Sequence, residues 1–278
     1  MKKTCIIISG PTAAGKTSFA IELAQKHNTE IISADSRQCF KELNIGVAKP
    51  DSSELELVKH HFINSHSIHE EMNAGIFEEY ALKAANEIFK INDIAIVVGG
   101  TGLYIKAFAK GLDEVPPVNA ALREELIEKY TNLGIDWLKN EIRIHDQDFF
   151  EKGEIQNPQR MLRALEVKLS TGKSIFGYHS GKIVPRDFDI QNIFIDLPRE
   201  QLYQNINNRV DEMMQHGLLE EARELFPYKH LNALRTVGYK ELFDFFERKV
   251  SLEKAVDDIK KNTRHYAKRQ LTWFSKNR

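Results

Sequence analysis

The stretch Gly10-Pro11-Thr12-Ala13-Ala14-Gly15-Lys16-Thr17 constrains this chain more than any other feature. It fits the pattern G-x-x-x-x-G-K-[ST]. An apolar run, Thr4 to Ile8, precedes it, and a helical pattern, Ser18 to His27, follows. A strand that breaks into a glycine-rich turn and then a helix lets backbone N–H groups converge on phosphate oxygens. The free N–H groups at the helix start and the helix dipole favour the same anion. Lys16 adds a positive charge, and the Thr17 hydroxyl is a ligand for Mg²⁺. The expectation is a phosphate-binding loop over Gly10 to Thr17 in a parallel α/β sheet with helices on both faces.

Further apolar runs support that sheet. Glu30 to Ser33 ends at Asp35-Ser36, Ile94 to Val98 ends at Gly99-Gly100-Thr101-Gly102, and Ile193 to Ile195 ends at Asp196-Leu197-Pro198. Unbroken apolar runs between helical patterns read as parallel strands buried on both faces. Ligands of such sheets gather at the carboxyl ends of the strands, so three of these ends are expected around one crevice.

The stretch 112–185 reads differently. It opens with the stiff breaker Val115-Pro116-Pro117-Val118. Helical patterns follow at Ala121 to Leu133, Ile135 to Ile144 and Pro158 to Ser170, with Thr171-Gly172 as a stop. It is expected to be an all-helical insert in a core made of 1–111 and 186–278. Four more helical patterns run from Arg199 to His216, Leu218 to Phe226, Gly238 to Glu247 and Leu252 to Phe274.

A net charge of −1 does not mark the whole molecule as a nucleic-acid binder, so charge distribution must carry any such reading. The last helix is lopsided: Lys260, Lys261, Arg264, Lys268, Arg269, Lys276 and Arg278 are basic, with Tyr266, Trp273 and Phe274 interleaved. It is either an amphipathic helix with a solvated face or a phosphate-backbone contact. Arg160 and Arg163 share a helix face on the insert, with Lys168 further along. Cys5 and Cys39 lack metal-ligand spacing and read as reduced core residues. His60-His61 has no carboxylate pair to complete a zinc site. No membrane span or export signal is visible, and a cytoplasmic location is expected.

The strand ends narrow the chemistry. A phosphate-loop kinase or NTPase places an Asp at the end of a second strand to hold Mg²⁺. Here that run ends in glycines, and Asp196 reads more readily as a turn residue. Asp35 is either a helix cap or a carboxylate facing the loop to take a proton. Arg37 and Gln38 beside it are candidates to read a base edge or a phosphate.

Taken in order, the motifs resemble those of the bacterial tRNA dimethylallyltransferases. The matching pieces are the phosphate loop; Asp35-Ser36-Arg37-Gln38; Ile45-Gly46-Val47-Ala48-Lys49-Pro50; His60-His61; Val98-Gly99-Gly100-Thr101-Gly102-Leu103-Tyr104; Gln159-Arg160-Met161-Leu162-Arg163 with Ala164 to Val167; Arg209-Val210-Asp211; Val237-Gly238-Tyr239; and Lys268-Arg269-Gln270-Leu271-Thr272-Trp273. Phe40 stands where the family usually has Tyr, and Asn205 where an Arg is common. The resemblance implies transfer of a dimethylallyl group from its diphosphate to the N6 amine of the adenine 3′ to the anticodon, with Mg²⁺, by a monomer. It implies Asp35 as general base, with Lys16, Thr17 and Arg209 on the diphosphate. It implies tRNA contact by Asp35, Ser36, Arg37, Gln38, Thr101, Arg123 and residues Gln159 to Arg163, Met161 and Leu162 included. The rival readings are a phosphate-loop small-molecule kinase and a nucleotide-switched RNA-binding module.

Overall fold

The computed structural model describes residues 2–276, which fall into two compact units. One comprises Met1–Gly111 and Pro185–Arg278, the other Leu112–Val184. Arg278 of the basic run lies outside the described residues.

The first unit begins with β1 (Thr4–Ser9), α1 (Lys16–His27), β2 (Ile31–Ser33), α2 (Ser52–Leu57), β3 (His60–His61), α3 (Ala74–Ile91), β4 (Ile94–Gly99) and α4 (Gly102–Lys110). The second unit holds α5 (Ala120–His145), α6 (Gln147–Lys152) and α7 (Pro158–Thr171). The chain then returns to the first unit as β5 (Asp189–Phe194), α8 (Arg199–Gln215), α9 (Leu218–Leu225), α10 (Tyr239–Phe246) and α11 (Leu252–Lys276).

The five strands are parallel in the order β3-β2-β4-β1-β5. Strand side chains alternate between faces. Ile6, Ile8, Ile31, Ile96 and Val98 therefore meet Ala20, Ile21 and Ala24 of α1 on one face. Cys5, Ile7, Ile32, Ala95 and Val97 meet Phe77, Ala81 and Ile88 of α3 in the main core on the other. Each isoleucine so buried contributes about 1.5–3 kcal/mol, which is why these runs lack polar alternation. The edge strand β5 is mostly exposed or half-buried, which hid it: it begins at Asp189, well before the apolar run at Ile193 to Ile195. Cys5 and Cys39 are buried free thiols, and burial pushes both pKa values up, that of Cys39 to about 12.

Register places the carboxyl ends together. Ser9 of β1 pairs with Gly99 of β4, and Ser33 of β2 pairs with Val98. Gly99 is required by that meeting, since a Cβ there would lie 2.2 Å from the Ala34 carbonyl oxygen. His60-His61 forms a strand, so the two rings point to opposite faces. His61 pairs with Glu30 at 2.5 Å, and His60 Nδ1 lies 2.8 Å from the Val58 carbonyl.

In the second unit, Gly134 (φ 79°) interrupts α5, so the two helical patterns on either side of it are separate rods. Leu126, Leu138, Ile142, Phe149, Met161, Leu162 and Leu165 form the core of this unit. No strand occurs in it among the described residues.

Candidate functional site

The phosphate loop follows β1 directly. Gly10 (φ 153°) passes so close to the next segment that a Cβ would lie 2.3 Å from the Ile195 carbonyl oxygen. Ala13 (φ 63°) and Gly15 (φ 83°) adopt left-handed backbone that curls the loop before α1. Ala13 and Ala14 are buried against Leu202 and Ile206 of α8 and Ala267 of α11. They anchor the loop and leave its polar backbone to face outward. Asn205 of α8 donates to the Ala13 carbonyl at 3.2 Å.

Gln270 of α11 fixes the loop from the other side. Its Oε1 accepts the Thr12 N–H at 2.8 Å, and its Nε2 donates to the Gly100 carbonyl at 2.9 Å. One buried amide thus ties the loop to the end of β4. Gly100 and Gly102 make room for this helix, since a Cβ on each would lie 2.2 Å from Gln270 Nε2 and 2.1 Å from Trp273 Nε1. The glycines after β4 therefore serve packing against α11.

A small cavity of about 90 Å³ opens between these elements, lined in part by Lys16, Thr17, Asp35, Gln38, Arg209 and Tyr266. A larger one of about 650 Å³ shares Lys16, Thr17 and Arg209 with it and is also lined by the loop residues Ala13, Ala14 and Gly15. The ends of β1, β2 and β4 do meet around one crevice.

Two cations lie in it with no ion-pair partner among the described residues. Lys16 Nζ donates to the Pro11 carbonyl at 2.6 Å. Burial pushes the Lys16 pKa down to about 8; the charge of Asp35 opposes that shift and the charge of Arg209 adds to it. Burial also lowers Arg209, with Glu212 and Glu54 opposing. A half-buried ammonium and a guanidinium that line one cavity with residues of the phosphate loop make a site that favours a polyanion.

Asp35 is both a cap and a cavity-lining carboxylate. Its Oδ1 caps the following turn, accepting N–H of Arg37 (2.8 Å) and Gln38 (3.3 Å). The side chain also lines the cavity. Thr101 Oγ1 accepts the Ser36 N–H at 3.1 Å, which joins the ends of β2 and β4. Tyr266 lies against both: burial and the Asp35 charge push its pKa up to about 12, while a hydrogen bond from Thr101 opposes.

Several expected contacts are differently placed. The Gln38 amide is committed to the fold, accepting from Ser33 Oγ (3.1 Å) and donating to the carbonyls of Val47 (3.3 Å) and Ala48 (2.9 Å). Gln38 also lines the small cavity. Met161 and Leu162 are 0% and 4% exposed, so their side chains hold α7 in place and present no surface. Arg123 and Arg163 both reach the buried Glu166, at 3.7 and 3.5 Å, yet keep about half of their side chains exposed (52% and 41%). Arg160 pairs with Glu154, and Gln159 is exposed. On α11, Lys260 pairs with Asp211 and Arg264 donates to Asn207, both on α8, while Lys261, Lys268, Arg269 and Lys276 are exposed. The basic run is therefore partly internal glue.

Asp196 is exposed, outside both cavities, and accepts its neighbour Leu197 N–H at 2.9 Å. It is a turn residue. No group of three His, Cys, Asp or Glu residues able to hold a metal occurs among the described residues. No helix among them is long and apolar enough to cross a membrane.

The fold and site define a phosphate-loop α/β protein with a helical second unit. Residues 38–277 match the family model described as IPP transferase, and the chain belongs to that family. The matched segment starts beyond the phosphate loop. A tRNA dimethylallyltransferase of Christiangramia forsetii is 49% identical over 99% of this chain and 91% of its own length. One of Flavobacterium psychrophilum is 46% identical, covering 98% and 90%. Among solved structures, the tRNA isopentenylpyrophosphate transferase of Bacillus halodurans is 33% identical with a TM-score of 0.69, covering 99% of this chain and 87% of that one. A eukaryotic dimethylallyltransferase, solved acting on tRNA, is 29% identical with a TM-score of 0.80, covering 98% and 69%.

Proposed function

We propose that this chain transfers a dimethylallyl group from dimethylallyl diphosphate to the N6 amine of the adenine 3′ to the anticodon in tRNAs, releasing diphosphate. The observation that carries the reading is the pair of half-buried cations without an ion-pair partner among the described residues, Lys16 and Arg209, lining one small cavity with the carboxylate of Asp35. Family membership supplies the chemistry that such a site would serve.

The acceptor amine is a weak nucleophile because its lone pair is delocalised into the ring. In the proposed step N6 forms a bond to the allylic carbon as that carbon's bond to the diphosphate oxygen breaks. The electron pair of the broken bond goes to the diphosphate, and one N6 proton goes to the Asp35 carboxylate. A base placed so contributes about 10²–10⁴-fold. Lys16, Arg209 and the loop amides stabilise charge that grows on the leaving diphosphate. Mg²⁺ binds hard oxygen ligands and keeps several waters. The Thr17 hydroxyl, substrate oxygens and water suit it better than an all-protein cage, and it would add positive charge at the leaving group.

The adenine must leave the anticodon-loop stack to reach Asp35. Ser36, Arg37 and Thr101, neighbours in sequence of the cavity-lining Asp35, Gln38 and Gly100, are the proposed tRNA contacts of the first unit together with Asp35 and Gln38. The exposed faces of Arg123, Gln159, Arg160 and Arg163 are the proposed tRNA contacts of the second unit, and a single chain acting in the cytoplasm suffices. A kinase lacks support here because β4 ends in glycine and Asp196 is turned away. The test is to incubate the protein with dimethylallyl diphosphate, Mg²⁺ and unmodified tRNA and weigh the RNA. A mass gain of one prenyl group is expected. Unchanged RNA, with phosphate released from ATP, would favour a kinase or switch.

A further inference from the structure

The segment from Asn44 to Pro50 stands between the two cavities. Val47 lines only the small one, Ile45 and Lys49 only the large one, and Ala48 and Pro50 line both. The segment is a turn of 3₁₀ helix, Ile45–Val47, ending in left-handed Ala48 (φ 47°), and it has no apolar core of its own. Ile45 and Val47 pack against the main core, and the rest of its shape is set by what grips it.

It is gripped at both ends by groups of opposite polarity. At its start, Glu221 in the first turn of α9 receives four donors. Oε2 accepts the N–H of Asn44 (3.1 Å) and Ile45 (2.8 Å); Oε1 accepts the N–H of Gly46 (2.9 Å) and the Tyr239 hydroxyl (2.6 Å). At its end, Gln38 donates to the carbonyls of Val47 and Ala48. Tyr239 seals the arrangement, because a Cβ on Gly46 would lie 2.6 Å from its ring. Neither Glu221 nor Tyr239 lines a cavity.

The geometry points to Glu221 as a positioning residue that fixes this partition and so restricts the allylic diphosphate to a short chain. The inference rests on the prenyl-transfer reading above. The phosphate-binding residues Lys16, Thr17 and Arg209 face both cavities, so the diphosphate end alone does not choose between them. Val47 and Ala48 line the small cavity together with Asp35, and the inference seats the five-carbon group there. A ten-carbon chain needs space that exists only beyond the partition. A glutamine at 221 places an N–H₂ where a carboxylate oxygen accepts two donors. Two of the four bonds are lost, and donor faces donor.

The test uses the full chain with equimolar five-carbon and ten-carbon allylic diphosphates, Mg²⁺ and unmodified tRNA, and weighs the products. Glu221→Gln is expected to raise the ratio of ten-carbon to five-carbon product about tenfold over the wild type, a span that pocket shape alone commonly sets. Tyr239→Phe removes one donor of four and is expected to raise it about threefold. A ratio within about twofold of wild type in both variants, even with total activity reduced, overturns the inference, since a merely structural residue lowers both products alike. If Glu221→Gln does not fold, Tyr239→Phe alone decides by the same criterion. A wild-type protein that prenylates nothing in the same assay would instead defeat the underlying reading.

Discussion

Raising the pH should weaken donor binding without any substitution, through Lys16. The ammonium is half-buried, and its pKa sits at about 8 instead of 10.5. A bound diphosphate favours the charged form and returns that pKa upward. Below pH 8 Lys16 is charged in both the free and the bound protein, and affinity is flat. Above it, the free protein must take up a proton to bind, and affinity falls toward tenfold per pH unit. Between about pH 7.5 and 9 the dissociation constant should rise about tenfold, or ~1.4 kcal/mol. The terminal phosphate of the donor ionises near pH ~6, outside this window. Stability of the free protein moves the other way. The folded pKa lies below the unfolded one, so the folded state binds fewer protons between pH 8 and 10.5, and stability rises there by up to about 3 kcal/mol. Lys49, also held at about 8 by burial, lines the large cavity and needs a control. Calorimetric titration of dimethylallyl diphosphate across this range checks the effect. The alkaline fall should persist in Lys49→Met and vanish in Lys16→Met. A flat dissociation constant in the wild type would refute the idea that Lys16 meets the diphosphate from a desolvated position.

Asp35→Asn keeps an oxygen for the Arg37 and Gln38 amides, so it should fold normally and still bind donor; single-turnover transfer should drop at least about 100-fold, and near-normal turnover would remove Asp35 as the base. Gln270→Ala unties the Thr12 amide from the Gly100 carbonyl, which should cost about 1–3 kcal/mol of stability in chemical denaturation and raise the donor KM, whereas an unchanged donor KM would mean the loop holds its shape alone. Reversing charge at both Arg160 and Arg163 should weaken tRNA binding and flatten its salt dependence by roughly 0.7–0.9 in slope per lost phosphate contact; an identical slope would show that this face does not touch the backbone.

The parts legible in the sequence are those with local causes. The phosphate loop, β1 and β4 declare themselves because glycine spacing and unbroken apolar runs follow from geometry within a few residues. The break at Gly134 likewise reads out as two helical patterns. Most of what the local pattern does not show has distant causes. β5 starts at Asp189 because it pairs with β1 at the sheet edge, where apolar content is not required. His60-His61 is a strand because β2 recruits it. α2, α3, α4 and α6 were absent from the expected helices; α2 and α3 begin at the side-chain caps Asp51 and Asn73, which are local signals that were available. In the site, Lys16, Asp35 and Arg209 converge as their motifs implied. Gln270 and Glu221 were invisible as supports, because their partners lie 258 and 175–177 residues away. Met161 and Leu162 shared a motif with surface arginines, but helical periodicity turns them inward.

The reach of Gln270 back to Thr12 has a bearing on how the protein is made. Synthesis delivers the glycine-rich turn among the first residues and its latch only after more than two hundred others have emerged. A partly translated chain on the ribosome thus has the right letters for seizing diphosphates but not the brace that shapes them. The anion grip therefore takes its braced form only once Gln270 has been made and has folded back onto Thr12.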